Sequence, residues 1–451
     1  MIRLALAFAI VLLLAWGATF VADNPGAATL AVGPWVIETS VAALLLAAAL
    51  LMLATALALA LFAWARRDLP VIGSSAAIKR QSRGLDLVNQ ALVALAAGDH
   101  KLARRLADQS TRLLPPMPMV HLIGAEAAMR AGDHEAAQEK FKALEASEAG
   151  KLLGLRGLVQ EARRAGKSAE ALRLARLAFA EQPKSPWVLN TLFALEVAAG
   201  NWAEAEAALQ KVARGKLVDT VTLTRHKGAL AFARGTEAAL KGDADAARKF
   251  YTTAHKARGD FAPADAALAR LDLKEGKIRQ AEKRLKAAWG NAPRPALAAA
   301  WRDIDPAESA ADSLARVRTL TAGNPAHPLS RTLIAEGLAR TGETEAAITL
   351  VEGLLAEVPS RDLWALRLKL AEKRGEDTAA IEAALAQAGP GLGWECGDCG
   401  HRPVAWQPLC PSCGGFDTFD WLEPGTPRAE QQRDGSMLML MSGGRSGPVA
   451  D

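Results

Sequence analysis

Cysteine is scarce in this 451-residue chain. There are four, all between Cys396 and Cys413. A framework of disulfides spread through the fold is therefore excluded. Aromatic side chains make up only 5% of the residues, with a single tyrosine. Histidine is also sparse, and its seven copies are scattered. No phosphate-binding glycine loop, dinucleotide fingerprint or H-E-x-x-H metalloprotease motif occurs, and no nucleophile stands in a defensible relation to a base. An enzyme is not expected. Charge of one sign is scarce too: 54 basic residues oppose 49 acidic ones, a net of +5. That balance fits an ordinary solvated surface first and a face near anionic lipid second. It does not supply the concentrated basic patch that nucleic acid requires, so no nucleic-acid partner is expected.

What is abundant is apolar: half the residues, with alanine and leucine foremost. These two are the least costly residues to place in a helix, and the length predicts two or three units. Two apolar runs open the chain, one over about 4–22 and one over about 39–65, each long enough to cross roughly 30 Å of hydrocarbon as a helix. Small residues at Ala18 and Ala22 would also permit cleavage of the first run as a signal, but the second would still hold the protein in the membrane. Pro25, Gly26, Gly33 and Pro34 break the stretch between them, where Trp35 is placed as an interfacial anchor. Arg3 precedes the first run, and Arg66, Arg67, Lys79, Arg80 and Arg83 follow the second; the intervening loop has no Lys or Arg. The positive-inside rule then predicts a multi-pass protein of a bacterial inner membrane, with both termini and the soluble part cytoplasmic. The bilayer is thus the first expected partner. The cysteines would sit in a reducing compartment, where metal binding is favoured over disulfides.

From about Ser82 the sequence repeats. "LAAGDHKLARRLADQ", "MRAGDHEAAQEKFKA" and "RRAGKSAEALRLARL" each carry a glycine followed five residues later by an alanine. The glycines are Gly98, Gly132, Gly166, Gly200, Gly242, Gly276, Gly342 and Gly375; the alanines are Ala103, Ala137, Ala171, Ala205, Ala247, Ala281, Ala347 and Ala380. Their spacing is mostly 34 residues, which looks like the tetratricopeptide repeat, a helix-turn-helix unit. Glycine would relieve crowding or permit an unusual backbone angle at the turn, and alanine would let the second helix approach the first. The 42-residue step from Gly200 to Gly242 predicts a longer helix or loop near "ARGKLVDTVTLTRHK". The 66-residue step after Gly276 predicts a degenerate repeat near Asp305 to Leu320. Stacked pairs bury a core that no single pair could bury, and such arrays bind proteins or peptides. A spacer or self-association role remains open. Tyr251, Arg225, His226 and Arg302 are candidates to line a groove.

Cys396, Cys399, Cys410 and Cys413 read C-x2-C-x10-C-x2-C. Each pair forms a knuckle presenting two thiolates to one tetrahedral ion. Gly400 and Gly414 follow directly, where small residues let backbone N–H groups turn toward sulfur. One structural Zn²⁺ suits four thiolates, with Fe in a rubredoxin-like site as the alternative. His401 adjoins a knuckle whose ligand positions are already filled. Trp394, Trp406, Phe416, Phe419 and Trp421 would form a miniature core, a docking face, or both. The tail beyond, including the "MLMLM" run at Met437–Met441, reads as disordered.

The full expectation is an all-α chain: a two-helix membrane hairpin over 1–67, a juxtamembrane linker over 68–81, a repeat solenoid over 82–390, a four-cysteine zinc-ribbon or rubredoxin-like module over 391–422, and a tail over 423–451. The stretches "FVADNPGAATLAVGPWVIETS", "FAWARRDLP" and "RGLDLVNQALVALAAGDHKLA" resemble the HemY family of bacterial inner-membrane proteins. The C-terminal knuckles look like its alphaproteobacterial form. The arrangement is also similar to the LapB adaptors of lipopolysaccharide assembly, in which a metal module packs on the repeats and is needed for function. The HemY resemblance implies a non-catalytic scaffold linked to haem biosynthesis, with cytoplasmic or inner-membrane proteins, haem-synthesis enzymes among them, as partners. A haem or porphyrin carrier, ligated by residues such as His100, His134 or Tyr251, is the first alternative. A LapB-like regulator of envelope assembly is the second.

Overall fold

A computed structural model describes residues 16, 19, 26–68 and 75–422. The expected first membrane helix, the side chain of Trp35 and the tail with its "MLMLM" run lie outside the described residues, apart from Trp16 and Thr19. Nineteen helices and four short strands form among the described residues. The chain divides into two compact units, Met1–Val120 and His121–Asp451.

The first unit departs from an all-α expectation at its start. β1 (Ala27–Val32) and β2 (Trp35–Ser40) pair antiparallel, with Val32 opposite Trp35. Gly33 at φ +62° and Pro34 make the two-residue turn. These residues break helices, as expected, but here they do so by closing a hairpin between β-favouring runs. β2 runs to Ser40, so the following helix α1 (Val41–Asp68) starts two residues later than expected and continues past 65. Its stretch Val41–Ala63 is apolar, long enough to cross a membrane, and not buried against the rest of the chain. It is the only such helix among the described residues. The helix α2 (Ser75–Ala96) begins inside the region expected to be a linker. Ala76, Ala77, Lys79, Arg80 and Gln81 are good helix formers, and Pro70 and Gly73 lie before them. α2 packs antiparallel on α3 (His100–Ser110), burying Val88, Ala91 and Ala94 with Ala103 and Ala107.

The chain continues with α4 (Pro118–Arg130), α5 (His134–Glu145), α6 (Lys151–Arg164), α7 (Ser168–Glu181), α8 (Pro186–Ala198) and α9 (Trp202–Arg214). Then come α10 (Thr220–Leu240), α11 (Ala244–Ala257), α12 (Ala262–Lys274), α13 (Ile278–Asn291), α14 (Pro295–Arg302) and α15 (Ala310–Thr321). α16 (Pro328–Thr341), α17 (Thr344–Glu357), α18 (Arg361–Arg374) and α19 (Ala379–Gln387) complete the array. The eight predicted turn glycines all take positive φ. At Gly132, φ is +79° and an added Cβ would meet nothing within 4 Å, so the backbone angle, not crowding, requires glycine there. Asp133 then accepts from the Ala136 N–H at 3.1 Å and caps α5.

Seven of the eight paired alanines are fully buried. Ala380 is exposed. After the other glycines the second helix starts two residues on, but after Gly375 it starts only at Ala379, so the phase slips and α19 buries none of its residues. Where a degenerate repeat is expected, near Asp305 to Leu320, two short helices stand, α14 and α15, joined through Pro306; each packs on α13, and they do not pair with each other as the helices of the other repeats do. The surplus between Gly200 and Gly242 becomes helix: α10 has 21 residues where its neighbours have 13 or 14. Leu, Phe and Trp fill the gaps between the alanine seams, Phe141, Leu155, Leu285 and Trp289 among them, all essentially inaccessible. Each such side chain contributes about 1.5–3 kcal/mol.

Candidate metal centre and its seat

The C-terminal cysteines are held by two short strands, β3 (Gly393–Cys396) and β4 (Phe419–Leu422), paired antiparallel with Cys396 opposite Phe419. The two knuckles repeat one hydrogen-bond pattern. Cys396 N–H donates to the His401 carbonyl and Gly400 N–H to the Cys396 carbonyl, both at 2.8 Å. Cys410 N–H donates to Gly415 and Gly414 N–H to Cys410, again at 2.8 Å. Gly400 and Gly414 have φ of +72° and +73°, and this left-handed turn folds the chain back over the sulfurs.

The four Sγ atoms lie within 4.8 Å of one another and could hold one metal ion. Cys396 and Cys413 sulfurs are 3.7 Å apart, and those of Cys399 and Cys410 3.6 Å. No disulfide links them. A tetrahedral ion with metal–sulfur bonds of about 2.3 Å needs sulfurs about 3.8 Å apart, so the donor set fits. Burial pushes the Cys399 thiol up, but the His401 N–H and the neighbouring thiols bring it down to about 7. Burial raises Cys396, against the opposing hydrogen bond of Thr418, and burial raises Cys413 far above the usual thiol range. Thiols this close do not all ionise without a cation among them. His401 acts through its backbone, and Thr418 Oγ1 sits 3.1 Å from Cys396 Sγ.

The module is seated on the repeats through one buried carboxylate. Asp417, at φ +53°, has a fully buried side chain. It accepts from Arg258 Nη1 at 2.9 Å and from His226 Nδ1 at 3.2 Å, and Arg225 Nε lies 3.7 Å away. The hydrogen bond to a carboxylate places the His226 proton on Nδ1. Arg225 also donates to the Asp417 carbonyl at 3.2 Å and to Asp420 at 2.9 Å. Burial alone would raise the Asp417 carboxyl; donation from His226 and the charges of Arg258 and Arg225 hold it below the usual carboxylate range instead. Arg225 and His226 stand on the N-terminal half of the lengthened α10.

Aromatic contacts surround this charge. Phe416 meets Phe193 edge-on at 5.7 Å and His226 at 5.2 Å. Trp406 stands edge-on to Phe232 at 5.3 Å and Phe261 at 4.7 Å, with the Arg258 guanidinium 4.5 Å over Phe261. Trp394, Trp406, Phe416 and Phe419 share one buried cluster with Phe193 and Phe261. Both aromatic expectations therefore hold: the rings form the module's core, and Trp406 and Phe416 are also its docking face.

Of the groove candidates, Arg225 and His226 grip the module, Arg302 is exposed, and Tyr251 is buried with its hydroxyl donating to Thr236 at 3.3 Å. His134 Nδ1 pairs with the buried Glu161 at 3.1 Å. His134 and Tyr251 are thus taken up by the repeats' own packing.

Residues 26–132 match the family model described as HemY protein N-terminus. This part of the chain is similar to a HemY N-terminus. Its expected resemblance to that family holds over the strand hairpin, α1 and the first repeats. A probable magnetosome protein, Mms48 of Magnetospirillum gryphiswaldense, is 27% identical over 251 residues, 51% of this chain and 52% of that protein. The chain thus spans about half the length of the curated relative it matches. Among solved structures, the Naa15/Naa10 complex bound to HypK-THB aligns with a TM-score of 0.40 at 15% identity, over 68% of this chain and 50% of that one. A tetratricopeptide repeat protein from Parabacteroides merdae aligns at 0.29 and 13% identity, over 57% of this chain and 99% of that one.

Proposed function

We propose that this protein is a non-catalytic scaffold held at the bacterial inner membrane, gathering partner proteins on its helical pairs. The observation that carries the reading is the seat at Asp417. A rigid array of helical pairs fixes a four-cysteine module in place through charge and aromatic contacts, which is a way to build a binding surface rather than a reaction centre. α1 anchors the chain, the first apolar run adds a second span, and the repeats lie in the cytoplasm. Cys396, Cys399, Cys410 and Cys413 hold one structural Zn²⁺, with Fe as the alternative ion. The similarity to the HemY N-terminus supports haem-synthesis enzymes as the first class of partner to test. The second reading is a LapB-like regulator of envelope assembly, favoured by the docking of a metal module on the repeats.

In-cell crosslinking of the full chain, followed by solubilisation and identification of captured proteins, separates these. Haem-synthesis enzymes support the first reading; envelope-assembly proteins or a membrane protease replace it with the second. Reporter fusions after Arg67 should be active in the cytoplasm and those after Pro34 inactive, and the opposite pattern would overturn the topology.

A further inference from the structure

The net charge of +5 looks diffuse when averaged over the chain, yet it is concentrated. Between Arg66 and Arg112 nine Lys and Arg stand against four Asp and no Glu, an excess equal to that of the whole chain. This segment is the end of α1, then α2 and α3. Only six residues separate Asp68 from Ser75, so α2 begins within about 25 Å of the end of α1.

The first helical pair turns its small apolar residues inward and its cations outward. Arg80 Nη2 donates to the Arg112 carbonyl at 2.6 Å, tying the start of α2 to the residues after α3. Lys101, Arg104, Arg105 and Arg112, with Asp108 and Gln109, line a shallow concavity of about 300 Å³ on α3. Asp108, 4.0 Å from Arg104, is the one acidic residue among these lining side chains. On α2, Ile78, Leu85 and Leu92 recur every seven residues along one line, with Val93 beside them, and they are 63%, 42%, 42% and 70% exposed. A helix pair with an outward cationic face and an outward apolar line, tethered next to an apolar span, matches the two layers of a membrane surface.

We infer that α2 and α3 form a lipid-binding platform that lies on the anionic leaflet. The Lys and Arg of α3 contact the phosphodiester groups of acidic phospholipids, and Ile78, Leu85 and Leu92 enter the headgroup–acyl boundary. This rests on the membrane-anchored reading above, and it adds an orientation: the first repeat is held against the bilayer rather than swinging on a tether. Basic residues near an anionic surface add their attractions, so several suffice to hold the pair down.

The test uses the full chain reconstituted in vesicles of phosphatidylcholine, with or without a quarter of phosphatidylglycerol. A fluorescent amino acid replaces the exposed Gln109, and a quencher is carried on a lipid headgroup. The quenched fraction relative to the unquenched should rise on the order of tenfold with phosphatidylglycerol. It should fall back in high salt, and in a variant carrying Lys101→Glu, Arg104→Glu and Arg105→Glu. Equal quenching in neutral and acidic vesicles overturns the platform, as does quenching unaffected by salt, a readout that needs no variant to fold. Fluorescence protected only when a second copy crosslinks to α3 would also overturn it. Alkali washing keeps the two readings distinct. Chain stripped from the vesicles removes the anchor and the platform together, whereas chain that stays while quenching ignores charge removes the platform alone.

Discussion

The joints between helical pairs and the seat of the cysteine module bury surface in opposite ways. Along the repeats, Ala137, Ala171 and Ala205 meet Leu, Val and Phe, and what holds them is area and close fit. At the seat a carboxylate with no solvent exposure is surrounded by two arginines and a histidine drawn from α10 and the residues just after α11. The first kind of joint is nearly additive, because each pair contacts its neighbours and little else. The second is all-or-nothing, because removing one partner leaves the others desolvated and unpaired. A ladder can vary one rung at a time, whereas a module latched by a buried charge is either seated or released.

That contrast can be broken most severely at the sulfurs. Replacing Cys396 and Cys399 by serine should release close to one metal ion per chain and unfold residues 391–422, read by metal analysis and by emission from Trp394, Trp406 and Trp421. The loss is on the order of 10 kcal/mol for a structural zinc site. Unchanged metal content would reject the four-thiolate centre. Next in size is Asp417→Ala, expected to cost about 3–5 kcal/mol and to expose the module and the start of α10 to hydrogen exchange while leaving α16–α18 protected. Protection lost evenly along the whole array would mean the latch is not local. The carboxyl of Asp417 is held low by its partners, so its stabilisation is full at neutral pH and disappears as pH falls through that lowered value. Asp417→Asn should remove that part of the acid sensitivity.

The smallest effect sharpens the other side of the comparison. Gly132→Ala should cost about 1 kcal/mol, since the residue must keep φ at +79°. The change should be confined to α4 and α5, measured as a local rise in exchange. A collapse of cooperativity across all pairs would contradict additive joints.

Most of the ladder is legible in the primary structure because its determinants are local. A glycine and an alanine five residues on specify a turn without reference to anything distant, and a capping aspartate reinforces it after Gly98, Gly132 and Gly242. Gly375 shows where that local signal ends: the turn forms, but Ala380 faces solvent because the next helix starts late. The knuckles were equally readable, since each closes within six residues. Asp417 was not, and neither was Arg258. Their pairing spans 159 residues, and nothing beside either of them announces the other. The irregular step before Gly242 was the one distant hint, for the added helix carries Arg225 and His226. The strand hairpin is hidden for another reason: proline and glycine tell where a helix cannot go, without telling what the flanking residues do instead.

The same span has a consequence in time. Arg258 reaches Asp417 across 159 residues and Arg225 reaches Asp420 across 195. At a synthesis rate of roughly 5–20 residues per second, the cationic cradle waits roughly 10–40 s on the ribosome before its counter-charge is made. During that interval the cradle leaves its cations and phenylalanines uncovered. The emergence of Asp417 and Asp420 therefore closes a window of vulnerability, and a chain cut short before them would keep that window open.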